Sequence, residues 1–368
     1  MSPTLGYFSP MPPAATGVAD YSAALLPYLR ARGEVRVNGS GDLNLYHIGN
    51  NALHREIYAR AIAEPGIAVI HDAVLQHLYL GMLDEPGYVN EFVFNYGEWS
   101  RNLALDLWKQ RARSGADARY FAHPMLKRVL TASRAAIVHN PAAALIAREH
   151  APDTPLFEIP HLFVPPVLPS MIDTLRMRDQ LGIHPRTLLI ATFGHQRETK
   201  RLHIVLTAVE RALARGANVR LLVSGEFVSE TYARAIEPRL LHPKILRTPY
   251  LDEPDFLRYL SATDLCVNLR YPSAAESSGV AIRMMGIGKA VIFTRDAASC
   301  QFPENACLRV DVGPAEIEML TDYIVWLAEN REAADAIGMN AARHIASEHA
   351  PDKVAAAYWD AINKTSAA

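Results

Sequence analysis

The stretch "RYPSAAESSGVAIRMMGIGKAVIFT", residues 270–294, reads as a loop, a helix and a strand in quick succession. Its polar segment "PSAAESSG" opens onto an apolar helix pattern, and a Gly-Lys step then leads into the strand "KAVIFT". With the strand pattern "DLCVNLR" in front, the whole is a βαβ unit, which belongs to a parallel sheet covered on both faces. Two charges stand out. Glu276 lies just before the helix, and Arg283 is the only charged side chain within it.

The same alternation extends outward in both directions. In the first half "LGYFS", "EVRVN", "LNLYHIG", "GIAVIHD", "AAIVHN" and "LFEIPH" read as strands, with helical stretches between most of them. Residues 18–30 carry Val18, Tyr21, Leu25, Leu26 and Leu29 at helical spacing. In the second half "TLLIATFG", "VRLLVSGE", "DLCVNLR", "KAVIFT" and "ACLRVD" are strands. A Pro-rich stretch starting "HLFVPPVLPS" separates the halves, and the boundary is expected between Leu168 and Pro185. The expected fold class is α/β, with two doubly wound, Rossmann-like domains. Ligands in such sheets lie outside the carboxyl ends of the strands, and the cleft between two such domains is the expected binding surface. The residues that follow strands are therefore the candidates: 9–17, 49–51, His71 and Asp72, His161, 194–200, Gly225 and 270–279.

Composition narrows the classes. The chain has 368 residues, above the size at which one core usually stops growing, so two domains are expected. A net charge of −2 gives no global positive field to hold nucleic acid. The cysteines are Cys266, Cys300 and Cys307, an odd number without a Cys-x-x-Cys pair, which fits reduced thiols in a cytoplasm. The start "MSPTLGYFSPMPPAATG" has neither the basic residues nor the apolar core of a signal peptide. The most apolar window, "GIAVIHDAVLQHLYLGML", contains His71, Asp72 and His77 and reads as a buried strand and helix rather than a membrane span. The 14 histidines form no local metal-binding spacing. There is no phosphate-binding Gly-x-x-x-x-Gly-Lys loop, no Gly-x-Ser-x-Gly elbow and no dinucleotide fingerprint.

Four motifs carry possible chemistry. Helix N-termini favour anions, and Ser277, Ser278 and Gly279 keep that entrance small and polar, suited to a diphosphate; equally, Ser277 or Ser278 is an N-cap and Glu276 a solvated loop residue. "FGHQRETKR", residues 193–201, puts His195, Arg197, Lys200 and Arg201 directly after a strand, and Lys200 is a natural diphosphate partner; a solvated basic turn is the plain alternative. "SPMPPAATGVADYS", residues 9–22, stiffens a loop with prolines, and Gly17 lets backbone approach a ligand closely. "IHD" places His71 and Asp72 at a strand end, and "YHIGNN" places Asn50 and Asn51 at another; these side chains either read hydroxyl groups or make turns.

Together "SPMPPAATGVADYSAALLPYL", "YHIGNN", "VIHDAVLQHL", "AAIVHN", "FEIPH", "FGHQRETKRLHIVLTAV", "PYLDEPDFLRYLSATDLCVNLRYP" and "ESSGVAIRMMGIGKAVI" resemble, in order and spacing, the family-4 retaining glycosyltransferases of GT-B fold. The resemblance implies two Rossmann-like domains facing each other across a deep cleft. Residues 1–170 would bind acceptor and 171–345 the nucleotide sugar, with a helix in 346–368, around Tyr358 to Ile362, returning to the first domain. It implies that Lys200 binds the donor diphosphate, with His195 standing where an arginine commonly does the same. Gly17 would lie near the donor phosphates, and Ser278, Gly279 and Val280 would hold the diphosphate through their amides. Tyr250 and Leu251 would flank the nucleobase, and His71 the transferred sugar. One departure matters. The family has two glutamates with seven residues between them, and here that spacing from Glu276 lands on Met284, or on Arg283 when the helix is aligned through Gly288. Arginine has five donors and no acceptor, so it cannot copy a carboxylate that accepts from ribose hydroxyls. It can bind a phosphate or carboxylate, or pair with Glu276. On this view Glu276 is the sugar-side carboxylate and Arg283 marks a variant nucleotide site.

The implied activity is transfer of a sugar from a nucleoside diphosphate sugar to a glycan or lipid-linked acceptor, with retention at the anomeric carbon, in cell-surface polysaccharide or glycoconjugate synthesis. His71, Lys200 and Glu276 would be catalytic. Gly17, His195, Arg197, Tyr250, Leu251, Ser277, Ser278, Gly279, Val280 and Arg283 would complete the donor site, and Asn50, Asn51 and Asp72 the acceptor site. Neither a metal nor a cofactor is expected, nor a nucleic-acid partner. Residues 101–128 hold seven cations beside Leu103, Leu107 and Trp108, either a solvated helical face or a basic amphipathic surface that would bring a cytoplasmic protein to the inner face of a membrane. The rival readings are a sugar-nucleotide epimerase, for which no acid–base pair can be assigned, and a non-catalytic or sensor protein of the same fold, which Arg283 keeps open.

Overall fold

Six parallel strands form one sheet: β1 (Leu5–Phe8), β2 (Val35–Val37), β3 (Leu43–Ile48), β4 (Ile67–Ile70), β5 (Ala135–Val138) and β6 (Leu156–Glu158), in the order β2-β1-β3-β4-β5-β6. Six more form a second: β7 (Leu188–Phe193), β8 (Val219–Ser224), β9 (Ile245–Thr248), β10 (Leu265–Asn268), β11 (Ala290–Thr294) and β12 (Leu308–Val310), in the order β12-β11-β10-β7-β8-β9. The structure is a computed structural model and describes residues 3–14 and 16–367. Central strands such as "IAVI" and "LLIATF" are buried at every position, because helices cover both faces of each sheet. The expected pair of doubly wound sheets is borne out.

β9 is the strand that the sequence pattern did not predict. It is a short edge strand, "ILRT", with only Ile245 buried, and its apolar run of two residues, Ile245 and Leu246, is too short to read as a strand.

The chain divides into two units. The first runs through Val164 and includes Pro272–Ser277 and everything from Glu348; the second comprises Pro165–Tyr271 and Ser278–Ser347. Hydrogen bonds explain why Pro272–Ser277 groups with the first: Ala73 N–H donates to Ala274 O at 2.8 Å, and Asn140 Nδ2 donates to Ala275 O at 2.8 Å. The helix Pro351–Ala367 also belongs to the first unit, packed against the helix Gly17–Arg30. The Tyr358 and Tyr21 hydroxyls meet at 2.9 Å, and Trp359 Nε1 donates to Leu29 O at 3.0 Å. Packing there is close: a Cβ on Gly33 would lie 2.5 Å from the Trp359 ring.

Truncation of Trp359 removes a large buried ring and its hydrogen bond. Trp359→Ala is expected to cost roughly 3–5 kcal/mol and lower the urea midpoint. A midpoint equal to the wild type's would mean that the last helix is not part of the first unit's core.

Candidate functional site

The strand orders say where each unit can hold a ligand. In the second sheet β7 has β8 on one side and β10 on the other, so the order reverses between β7 and β10. The loops that leave these two strands go to different sides and leave a crevice at their carboxyl ends. In the first sheet the reversal lies between β1 and β3. The loops after β7 and β10 are 194–200 and 269–278, and both fall among the segments that the sequence singled out.

The loop after β7 turns at Gly194, whose φ of +81° suits glycine. It is held by Gln196, fully buried, whose Nε2 donates to Gly194 O at 2.9 Å and Ser224 O at 3.1 Å. Lys200 folds back over this turn and donates to Phe193 O. Tyr271 N–H donates to Thr199 O at 2.8 Å, which ties the loop after β10 to the residue before Lys200. His195 and Arg197 are exposed beside them. Desolvation, then the Arg197 and Lys200 cations, hold His195 below its usual value, so it adds no charge at neutral pH.

Ser278, and not Ser277, is the N-cap of the helix Gly279–Gly286. Its Oγ accepts from Ala281 N–H at 3.3 Å and donates to Asn268 Oδ1 at 3.1 Å, so the helix start is fixed to the end of β10. Gly279 and Val280, partly exposed, form the first turn. Arg283 does not pair with Glu276. It makes a two-pronged ion pair with Glu253, and its guanidinium lies 4.6 Å from the Phe256 ring centroid. Phe256 in turn meets Phe193, the last residue of β7, edge to face at 5.4 Å. Tyr250 is 65% exposed, its N–H donating to Glu226 Oε1 at 3.3 Å, and Leu251 follows it just before the helix Glu253–Ala262. Glu253 was not singled out in the sequence.

In the first unit Thr16 caps the helix Gly17–Arg30, and a Cβ on Gly17 would meet no atom within 4 Å. His71 follows β4, its N–H donating to Ile48 O at 2.9 Å. Asp72 Oδ2 accepts from Asn50 N–H at 2.9 Å. Asn50 Oδ1 accepts from His77 and Leu78 N–H, at 2.8 and 3.1 Å, and so closes the start of the helix Gln76–Met82. Asn51 caps a short turn through Leu53 N–H. The Asn50 and Asn51 side chains are thus engaged in local structure. Glu276 Oε2 accepts from Ala274 N–H at 3.0 Å and Ser273 Oγ at 3.4 Å, which shapes its loop. Ser277 Oγ accepts from Asn140 Nδ2 at 3.1 Å, which sets this segment against the carboxyl end of β5.

His71 stands in a group of histidines. The His71 ring centroid is 5.2 Å from His47, 4.9 Å from His139 and 5.1 Å from Tyr21, and Tyr21 is 4.6 Å from His161. Register explains the gathering, because Ile70 pairs with Ile48 and Val138, and His71 and His139 are the next residues. The signal was present in the sequence as "HI", "IH", "VH" and "PH" at successive strand ends. Desolvation by burial holds His139 at about 4 and His161 at about 3, and pushes His47 and His71 well down, with neighbouring histidines adding to it. The group is neutral at pH 7. Among the described residues no set of three or more His, Cys, Asp or Glu is arranged to hold a metal ion.

In residues 101–128 the apolar side of the helix Arg101–Gln110 packs on the first unit's core through Ala104 and Leu107. Arg101 pairs with Glu98, Arg119 with Asp106 and Asp117, and Arg128 with Glu91. No helix among the described residues is long and apolar enough to cross a membrane.

No family model matches the sequence, and no curated protein matches it. Solved structures do. Sucrose-phosphate synthase from Thermosynechococcus elongatus is 14% identical over 99% of each chain, with a TM-score of 0.69. Anabaena HepE in complex with UDP-glucose is 13% identical over 99% of each chain, at 0.68. The chain has the GT-B fold. WaaG, a glycosyltransferase involved in lipopolysaccharide biosynthesis, shares it at 15% identity over 95% of this chain and 98% of its own, with a TM-score of 0.62.

The histidine group makes stability depend on pH. These rings bind protons less well folded than unfolded, so the unfolded state takes up more protons below about pH 6.5 and stability falls as pH falls. His139 and His161 together should remove about 2–3 kcal/mol per pH unit between about pH 6 and pH 5. Urea titrations across that range check it; a midpoint independent of pH would contradict neutral, buried rings.

Proposed function

We propose that the protein is a retaining glycosyltransferase that moves a sugar from a nucleoside diphosphate sugar to a glycan or lipid-linked acceptor in cell-surface polysaccharide or glycoconjugate synthesis. One observation carries the reading. Lys200 and the Ser278-capped helix start hang from the two strands between which the second sheet's order reverses, and Tyr271 ties their loops together. A cation beside a helix N-terminus suits a diphosphate and stabilises the charge that develops as it leaves. The fold shared with HepE, solved with UDP-glucose, supports a nucleotide sugar as donor.

The roles follow from the chemistry. Lys200, Arg197 and the amides of Gly279 and Val280 hold the diphosphate. Tyr250 and Leu251 flank the base. Arg283 has no acceptor for ribose hydroxyls, but the Glu253 carboxylate that it grips does. His71 and Glu276 serve the transferred sugar, with Ser277 anchoring the Glu276 loop, and Asp72 at the end of β4 serves the acceptor.

A thermal-shift screen with UDP, GDP, ADP, TDP, CDP and their sugars should give a rise specific to one base, lost in Lys200→Ala. In turnover, Lys200→Ala should lower kcat/KM by at least about 100-fold. Near-normal activity in that variant would remove Lys200 from the mechanism. Glu253→Gln should weaken binding of the nucleoside diphosphate while leaving inorganic pyrophosphate binding unchanged; equal weakening of both would take Glu253 away from the ribose.

A further inference from the structure

His47 is fully buried at the end of β3, and its Nδ1 lies 2.9 Å from Nε2 of His71. The two rings stack with 26° between their planes. Two neutral imidazole nitrogens at that distance hold one proton between them, so one ring donates and the other accepts. The direction fixes both tautomers.

If His71 donated from Nε2, the proton of His47 would be on its own Nε2. That atom is buried without a hydrogen-bond partner among the described residues. An N–H orphaned there would cost about 1–3 kcal/mol. If His47 donates from Nδ1, its Nε2 is a bare lone pair, and buried acceptors go unpaired more readily than buried N–H groups. The surrounding rings follow the same rule. His54, His139 and His161 each direct Nδ1 at a backbone carbonyl, of His47, Ile159 and Leu162, at 2.9, 3.0 and 2.8 Å, and only a protonated Nδ1 can donate there. Burial keeps His47 and His71 from taking a second proton near neutral pH.

We infer that His47 is a positioning residue for His71: its Nδ1–H donates to His71 Nε2, and His71 thereby presents Nδ1–H as a hydrogen-bond donor to an oxygen of the ligand. The alternative tautomer would turn a bare lone pair to the ligand, which can stabilise no developing negative charge. Tyr21, edge-on to His71 at 5.1 Å, and His139 hold the ring from turning over. That the ligand oxygen belongs to the transferred sugar rests on the proposed function; the tautomer does not.

The test reads the tautomer directly. Long-range proton–nitrogen spectra of protein labelled with nitrogen-15 histidine, assigned with His71→Ala, should give a protonated Nδ1 and bare Nε2 for His71 at about pH 7.5. In His47→Leu the His71 signal should move toward the other tautomer. In His47→Asn, whose amide nitrogen replaces Nδ1, it should not. A protonated Nε2 on wild-type His71 overturns the inference, as does an unchanged tautomer in His47→Leu. If the leucine variant does not fold, the wild-type spectrum decides alone. With a donor and acceptor in hand, His47→Leu should lower kcat at least about tenfold without raising donor KM, and His47→Asn should restore most of it. A wild-type protein that transfers no sugar would sink the glycosyltransferase reading and leave the spectrum to judge His47.

Discussion

Each sheet reverses its strand order once, and the candidate site depends on that reversal. A parallel sheet buried on both faces leaves little room for polar side chains along its strands. Loops at the carboxyl ends are the places where they collect, and only at the reversal do two adjacent loops diverge and leave backbone N–H groups uncovered. Between β7 and β10 this geometry brings together a glycine turn, a lysine and a capped helix start, from segments far apart in sequence. Gln196 shows how firmly the arrangement is set: a wholly buried amide spends both its N–H bonds on carbonyls of neighbouring strand ends.

Much of this was legible in the sequence, because buried strands and capped helices leave local signals. The strands "LLIATF" and "AVIFT" are continuous apolar runs, and "ESSG" announces a helix start within one residue of the true cap. What escaped depends on residues distant in the chain. "PSAAES" reads as the entrance of its own helix, yet its carbonyls are claimed by Ala73 and Asn140, and nothing local records those bonds. Asn50 looked free to read a ligand, but in the folded chain its Oδ1 accepts from the first N–H groups of the helix at Gln76. The histidines were visible one at a time, but only the register of β3, β4 and β5 brings His47, His71 and His139 into one group.

Arg283 shows how a residue's meaning can lie in its partner. From sequence, Glu276 was the carboxylate at hand; in the folded chain that carboxylate is turned to its own loop, and Glu253 on another helix meets the guanidinium. Glu253 is 60% exposed in this pair, and an ion pair so open to water contributes about 0–1 kcal/mol to stability. Its consequence is orientation. The planar fork of Arg283, stacked on Phe256, fixes the plane of a carboxylate that would otherwise move freely on its flexible stem.

The two units differ in charge as well as position. The second places Lys200, Arg197 and a helix N-terminus at its reversal point, groups suited to an anion. The first gathers buried imidazoles at its strand ends and keeps them neutral, because desolvation outweighs anything that would hold a proton on them. A neutral ring can still donate one hydrogen bond and accept another, and its direction is set by whatever fixes its tautomer. Such a surface is poor at holding phosphate and well suited to hydroxyl groups, whose oxygens both donate and accept. Each sheet therefore carries its own kind of chemistry at its carboxyl edge, anion-binding groups on one and neutral hydrogen-bonding rings on the other.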